Sequence, residues 1–144
     1  MKGSLHLVTA WRITLYCPVS PAAWPVLWAG DLTRLEQDIL AAPVFAALRA
    51  NAEFGTLGPY RQVYEMALGH ESFSPTTEAR PTLGKANEHS LTMNVVITTY
   101  VAANVSKARR EELIAALAAA HPWEVPVMEI HKVRVLEPDA PPRP

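Results

Sequence analysis

The stretch from Ala115 to Val135, "AALAAAHPWEVPVMEIHKVRV", decides how this chain folds. An alanine-rich run with helical character stops at His121-Pro122, and a β-branched run begins at Val127. Proline has no amide hydrogen and disfavours helical geometry in the residue before it, so the helix must end at His121. Pro126 restrains the chain again where a strand begins, a position that tolerates proline. Between the two prolines, Trp123 and Glu124 form a rigid corner. Trp123 offers a broad apolar surface with one donor. Glu124 can accept backbone amides, pair with an arginine or ligate a metal. The corner is a structural turn, a subunit contact or a ligand site, and turns use such residues more often than metals do. His121 and Glu124 alone supply a pair of candidate ligands for a divalent metal, where a site needs about three or four.

Working outward, "SKARREELIAALAAA" (106–120) is the clearest helix. Ser106 is placed to cap it, and Leu113, Ile114 and Leu117 form its stripe. Arg109, Arg110, Glu111 and Glu112 read as its solvated face. "LTMNVVITTYV" (91–101) is the clearest strand, with Leu91, Met93, Val95 and Ile97 alternating. "RITLYCP" (12–18) reads as a first strand with Ile13, Leu15 and Cys17 on one face. "GDLTRLEQDILAA" (30–42) reads as a helix capped by Asp31, and "PVFAALRANA" after Pro43 as a kinked extension. "YRQVYEMALG" (60–69) reads as a second strand, followed by a long loop from His70 to Ser90. "VPVMEIHKVRVL" (125–136) is the last strand.

The order is strand, helix, strand, strand, helix, strand. Parallel strands need crossovers, and both helices are placed to supply them. The chain is thus expected to be α+β: a ferredoxin-like βαββαβ domain, one antiparallel sheet with both helices on one face. The domain is expected over 1–137, with a disordered tail at 138–144. Along the last strand, Val127, Val133 and Val135 share one face while Met128, Ile130 and Leu136 share the other. A strand apolar on both faces wants cover on both, which points to a partner on the face without helices.

Composition narrows the classes. The chain has 144 residues, 49% of them hydrophobic, enough for one real core. A formal net charge of -1, with no basic stripe, argues against nucleic acid. From Ile13 to Gly30 no residue is charged, but Pro18, Pro21 and Pro25 would break a spanning helix. A strand followed by an apolar loop fits better than a membrane span, with a cleaved leader as the alternative. Cys17 is the single cysteine, so no internal disulfide can form, and a cytoplasmic location is expected. A small buried hydrophobe is its expected role. No serine elbow, Walker loop, dinucleotide fingerprint or metal-protease helix is present.

The hexapeptide "HPWEVP" resembles the HPYE-x-P corner of two related groups. One is the CutA divalent-cation tolerance family; the other is the YqfO-like group. The latter includes the insert domain of the NGG-interacting-factor-three (GTP cyclohydrolase type 2-like) family. The middle of the chain is similar to the YqfO-like pattern: a glycine turn, Tyr, Gly-x-x-x-Phe-x-Pro, then Pro-x-x-Gly. Gly58, Tyr60, Gly69, Phe73, Pro75, Pro81 and Gly84 occupy those places. Two departures stand out: an apolar insertion around 19–43, and a short link after Gly84 that keeps Glu88 as its one acidic residue. The resemblance implies a PII/CutA-like fold, a homotrimer, and a small ligand or divalent metal in clefts between subunits. It carries no reaction, because the larger family's di-metal site lies in a core this chain lacks. His121, Trp123, Glu124, Tyr60 and Phe73 are the candidate ligand or interface residues. A metal on His121 and Glu124 would need a further ligand, from His70, Glu88 or a neighbouring chain. The competing expectations are an accessory protein-binding module using Trp24 and Trp28, and a nucleotide hydrolase by distant association alone.

Overall fold

The computed structural model describes residues 4–139. Its sheet has four strands: β1 (Leu5–Pro18), β2 (Tyr64–Phe73), β3 (Ser90–Ala102) and β4 (Val127–Pro138). The order across the sheet is β2-β3-β1-β4, and every neighbouring pair is antiparallel. Three α-helices accompany it: α1 (Trp24–Trp28), α2 (Ala42–Ala50) and α3 (Lys107–Ala120). This is the ferredoxin-like arrangement. The first crossover, through α2, carries the chain from β1 over β3 to β2; the second, through α3, carries it from β3 over β1 to β4.

Register fixes the two faces. Ile13 lies opposite Thr99 and Ile130, and Leu15 opposite Ile97 and Met128. Residues directly opposite share a face, so Ile13, Leu15, Cys17, Val95, Ile97 and Val101 point one way. They form one buried cluster with Val44, Phe45 and Leu48 of α2 and with Leu113 and Leu117 of α3. Both crossover helices therefore cover the same face. Each such side chain fully removed from water contributes about 1.5–3 kcal/mol. Ser106 caps α3 as the sequence implies, its hydroxyl accepting the Arg109 amide hydrogen at 3.1 Å.

The structure corrects several boundaries. The first crossover helix is Ala42–Ala50, with Pro43 in its first turn, where a missing amide hydrogen is harmless. The segment before it, Leu32–Gln37, is a 3₁₀ helix capped by Asp31. Asp38 explains the break. It is buried, and its carboxylate accepts the amides of Leu40, Ala41 and Ser20 as well as the Ser20 hydroxyl. That draws the chain out of helix at Asp38 and pins the insertion to the end of β1. The insertion is ordered: Pro21–Ala23 and Trp24–Trp28 are short helices, and Val19, Leu27, Leu35 and Ala41 join the core.

β2 starts at Tyr64 and runs on through Phe73, so His70 and Glu71 are strand residues rather than loop residues. β1 begins at Leu5, well before Arg12. β4 includes Pro138, which pairs with Leu5, and Asp139 bonds back to Ser4, so the expected tail does not start at 138. Residues 140–144 of that tail lie outside the described residues. Arg109 and Arg110 are not merely solvated. Arg109 bonds Glu53 at 2.7 Å and Asn51 at 3.0 Å, tying α3 to the end of α2, and Arg110 lies 4.3 Å over the Trp11 ring. No helix among the described residues is long and apolar enough to cross a membrane.

Candidate functional site

The corner 121–126 joins α3 to β4. His121 has left the helix (φ -69°, ψ 133°), as Pro122 requires, while its amide still reaches Leu117 and Ala118. The ring is buried and spans two backbone groups. Nε2 lies 2.8 Å from the Tyr16 carbonyl, and Nδ1 accepts the Trp123 amide hydrogen at 3.1 Å. A carbonyl can only accept, so Nε2 carries the proton and Nδ1 the lone pair. Both nitrogens are engaged within the chain. Burial holds the His121 pKa below its ordinary value, partly offset by the Tyr16 carbonyl. His121 is a peg between the corner and β1, with no lone pair left over for a metal in this arrangement.

The loop from Ser74 to His89 folds onto the corner from the other side. The Arg80 amide donates to Glu124 Oε2 at 3.0 Å, and the Thr82 hydroxyl donates to the Pro122 carbonyl. The loop is itself closed by the Asn87 amide on the Pro75 carbonyl at 2.8 Å. Gly84, at φ +84°, turns it back toward the sheet, and a Cβ there would run into Ser90. Trp123 is half-buried and meets Phe73 edge-on, with ring centroids 4.8 Å apart. Phe73 and Glu71 stand on the sheet face opposite the helices, because both alternate with the residues of β2 that face the core.

Between these pieces lies a cavity of about 310 Å³ lined by Glu71, Phe73, Pro75, Pro81, Trp123 and Glu124, with small neighbours. Glu71 Oε2 and Trp123 Nε1 are both shielded from solvent without a hydrogen-bond partner of good geometry. Burial raises the Glu71 pKa above the ordinary carboxylate range, and the nearby indole N–H partly pulls it back. More orphaned polar atoms line the same face of the sheet: Arg12 Nε, Thr92 Oγ1 and Asn94 Oδ1.

The structure thus brings His121, Trp123, Glu124 and Phe73 together. It does not bring Tyr60 to them. Tyr60 lies in a turn before β2, at the opposite end of the sheet, and is 70% exposed. His70 faces the helices and meets Trp28 edge-on, while Glu88 is exposed in the loop. Among the described residues no group of three or more His, Cys, Asp or Glu could hold a metal ion. Cys17 is fully buried, and burial, with the charge of Asp38 nearby, pushes its pKa up to about 12. The sequence reading placed Glu71 among solvated loop residues, because the strand pattern was read as ending at Gly69. The alternation Gly69, Glu71, Phe73 was the available signal.

No protein-family model matches the sequence, and no curated protein matches it. Among solved structures, the chain is similar to one titled "The Crystal Structure of Bacillus cereus protein related to NIF3", at a TM-score of 0.56 and 18% identity. The match covers 89% of this chain and 26% of that one, so this chain spans about a quarter of that protein's length. At such identity the likeness speaks to the fold alone. It fits the ferredoxin-like reading and, loosely, the resemblance to the insert domain.

Proposed function

We propose that the chain is a small PII/CutA-like binding or regulatory protein, a homotrimer, that takes a small ligand beside its corner. The observation that carries this reading is the cavity at Trp123, where a rigid corner, a closed loop and a half-buried carboxylate with one shielded oxygen meet. Buried polar atoms without partners are uncommon, and a concave apolar site with few polar groups is the usual form of a ligand site. The reading is of binding rather than catalysis, with the protein in the cytoplasm. It places no metal on His121, whose ring nitrogens are both engaged.

Assembly is supported by a different feature. Beyond the pairing of Ala10 with Ala102, β1 and β4 run on as a two-stranded arm. Leu5, Leu7 and Leu136 are exposed on it, at 47%, 53% and 60%. A two-stranded ribbon is marginal alone, and an uncovered strand edge is a template for another chain. A neighbouring copy would cover both. The number three comes from the resemblance. The ligand half of the reading is tested by a thermal-shift screen of the full chain against amines, carboxylates, nucleotides and divalent metals. No stabilisation by any of them would contradict it.

A second reading, a protein-binding module, has one observation in its favour. Trp28 is 71% exposed at the end of α1. Trp24 serves less well, since it is half-buried and its indole donates to the Val19 carbonyl. Loss of a captured partner on Trp28→Ala, with oligomer and ligand response unchanged, would favour this reading.

A further inference from the structure

We propose that the cavity beside Trp123 takes a small organic ammonium ion with an apolar body, its charge against Glu71 and its carbon skeleton along the Trp123–Phe73 pair. The inference rests on the reading of this cavity as a ligand site and names the class of ligand.

Charge gives the sign. The lining carries two carboxylates, Glu71 and Glu124, and no lysine, arginine or histidine. Glu124 already accepts the Arg80 amide, so it sits as a fixed negative group on the rim. Glu71 lines the cavity as well and is half-buried; its Oε2 is shielded from water, with the Trp123 indole N–H nearby but out of good hydrogen-bond geometry. An ionised carboxylate in that position is costly unless a cation or donors meet it. Trp123 cannot do so fully: its Nε1 is itself unpartnered by geometry. A guest ammonium brings several donors and a compensating charge at once.

The walls give the shape. Phe73 and Trp123, which meet edge-on, both line the cavity, and an aromatic face attracts an ammonium within about 6 Å. Pro75, Ala79, Pro81 and Val125 add hydrocarbon walls, and Ser74, whose hydroxyl meets His89, completes the lining. A volume of about 310 Å³ suits a molecule with an apolar chain or ring beyond its nitrogen. Rigidity helps as well. Pro122, Pro126 and the His121 peg fix Trp123 before any ligand arrives, so little ordering remains to be done on binding.

The test uses three probes of the same length: hexylammonium, hexanoate and 1-hexanol, titrated by calorimetry into the full chain. We expect hexylammonium to bind at least about tenfold more tightly than either of the others, the scale of one charge-assisted contact. Glu71→Gln should weaken hexylammonium about tenfold and leave hexanol unchanged. Glu124→Gln, at the rim, should have the smaller effect of the two. Hexylammonium binding should also weaken as pH falls and Glu71 takes up its proton, and this dependence should be smaller in Glu71→Gln. The other ionisable groups near the cavity are Glu124, Arg80 beside it, and His89, which is held by Ser72 and Ser74; all three are common to both proteins. Equal or tighter binding of hexanoate or hexanol would overturn the ammonium inference and keep the ligand site. An unchanged hexylammonium affinity in Glu71→Gln would overturn it too. Binding of none of the three would overturn the ammonium inference as well, and the ligand-site reading falls with it if the wider thermal-shift screen is also silent.

Discussion

Replacing His121 by alanine should test how the corner is held. The imidazole makes two hydrogen bonds, to the Tyr16 carbonyl at 2.8 Å and from the Trp123 amide at 3.1 Å. Each removed partner leaves a shielded backbone group behind, at about 1–3 kcal/mol apiece. The loss expected is therefore about 2–6 kcal/mol, before any collapse of the vacated space. For a chain this long, that lowers Tm by on the order of 10 °C. The effect should also depend on pH, with a sign that burial dictates. The folded-state pKa of His121 lies below its ordinary value. Above the unfolded pKa, near 6.5, the neutral ring keeps its full contribution. As pH falls toward the folded pKa, the unfolded chain binds a proton that the folded chain does not, and stability is lost. Urea melts of both proteins between about pH 5 and 8 read this directly. The other histidines are present in both and cancel in the difference. The gap between wild type and His121→Ala should be largest at neutral pH and shrink in acid. A gap under about 1 kcal/mol at neutral pH, or one that does not change with pH, would refute the peg.

Further outcomes follow from the same geometry. Cys17, buried and with its pKa pushed up to about 12, should react with thiol reagents only as fast as the domain unfolds; rapid labelling without denaturant would contradict its place in the core. Glu71→Gln should raise Tm at neutral pH, because a carboxyl whose folded pKa is raised destabilises the fold above its unfolded pKa. The gain should fade below that value, and melts across the acid range will show whether it does. Trp123→Ala removes the edge contact with Phe73 and part of a half-buried ring, for an expected loss of about 2–3 kcal/mol. It should also weaken assembly, which gel filtration over a dilution series would register.

How much of this was legible in the sequence depends on what each residue had to contend with. β3 and α3 were legible because period and composition agree along them: Met93, Val95 and Ile97 alternate into the core, and Leu113 and Leu117 recur at helical spacing. The corner was legible because proline acts locally. Pro122 ends α3 whatever surrounds it. The first crossover was misplaced because "LTRLEQ" has helical spacing and the deciding residue is remote. Asp38 captures the Ser20 amide and its hydroxyl, a tertiary bond that no local pattern records. The inward turn of Glu71 was hidden for a related reason. Gly69 looked like the end of a strand, yet it sits opposite Asn94 within the ladder, where a Cβ would crowd the Asn94 side-chain Oδ1. Tyr60 fell on the resemblance pattern but lies at the far end of the sheet from the corner.

The central claim is that this fold works as an assembly, with copies covering what the lone chain leaves bare. Leu5, Leu7 and Leu136 are exposed on a two-stranded arm that no other strand of the chain covers. Light scattering coupled to gel filtration, on the full chain at micromolar concentration, tests it most directly. The account predicts a trimer, three times the 15.8 kDa of one chain. A mass of one chain, holding across the concentration series, would contradict it.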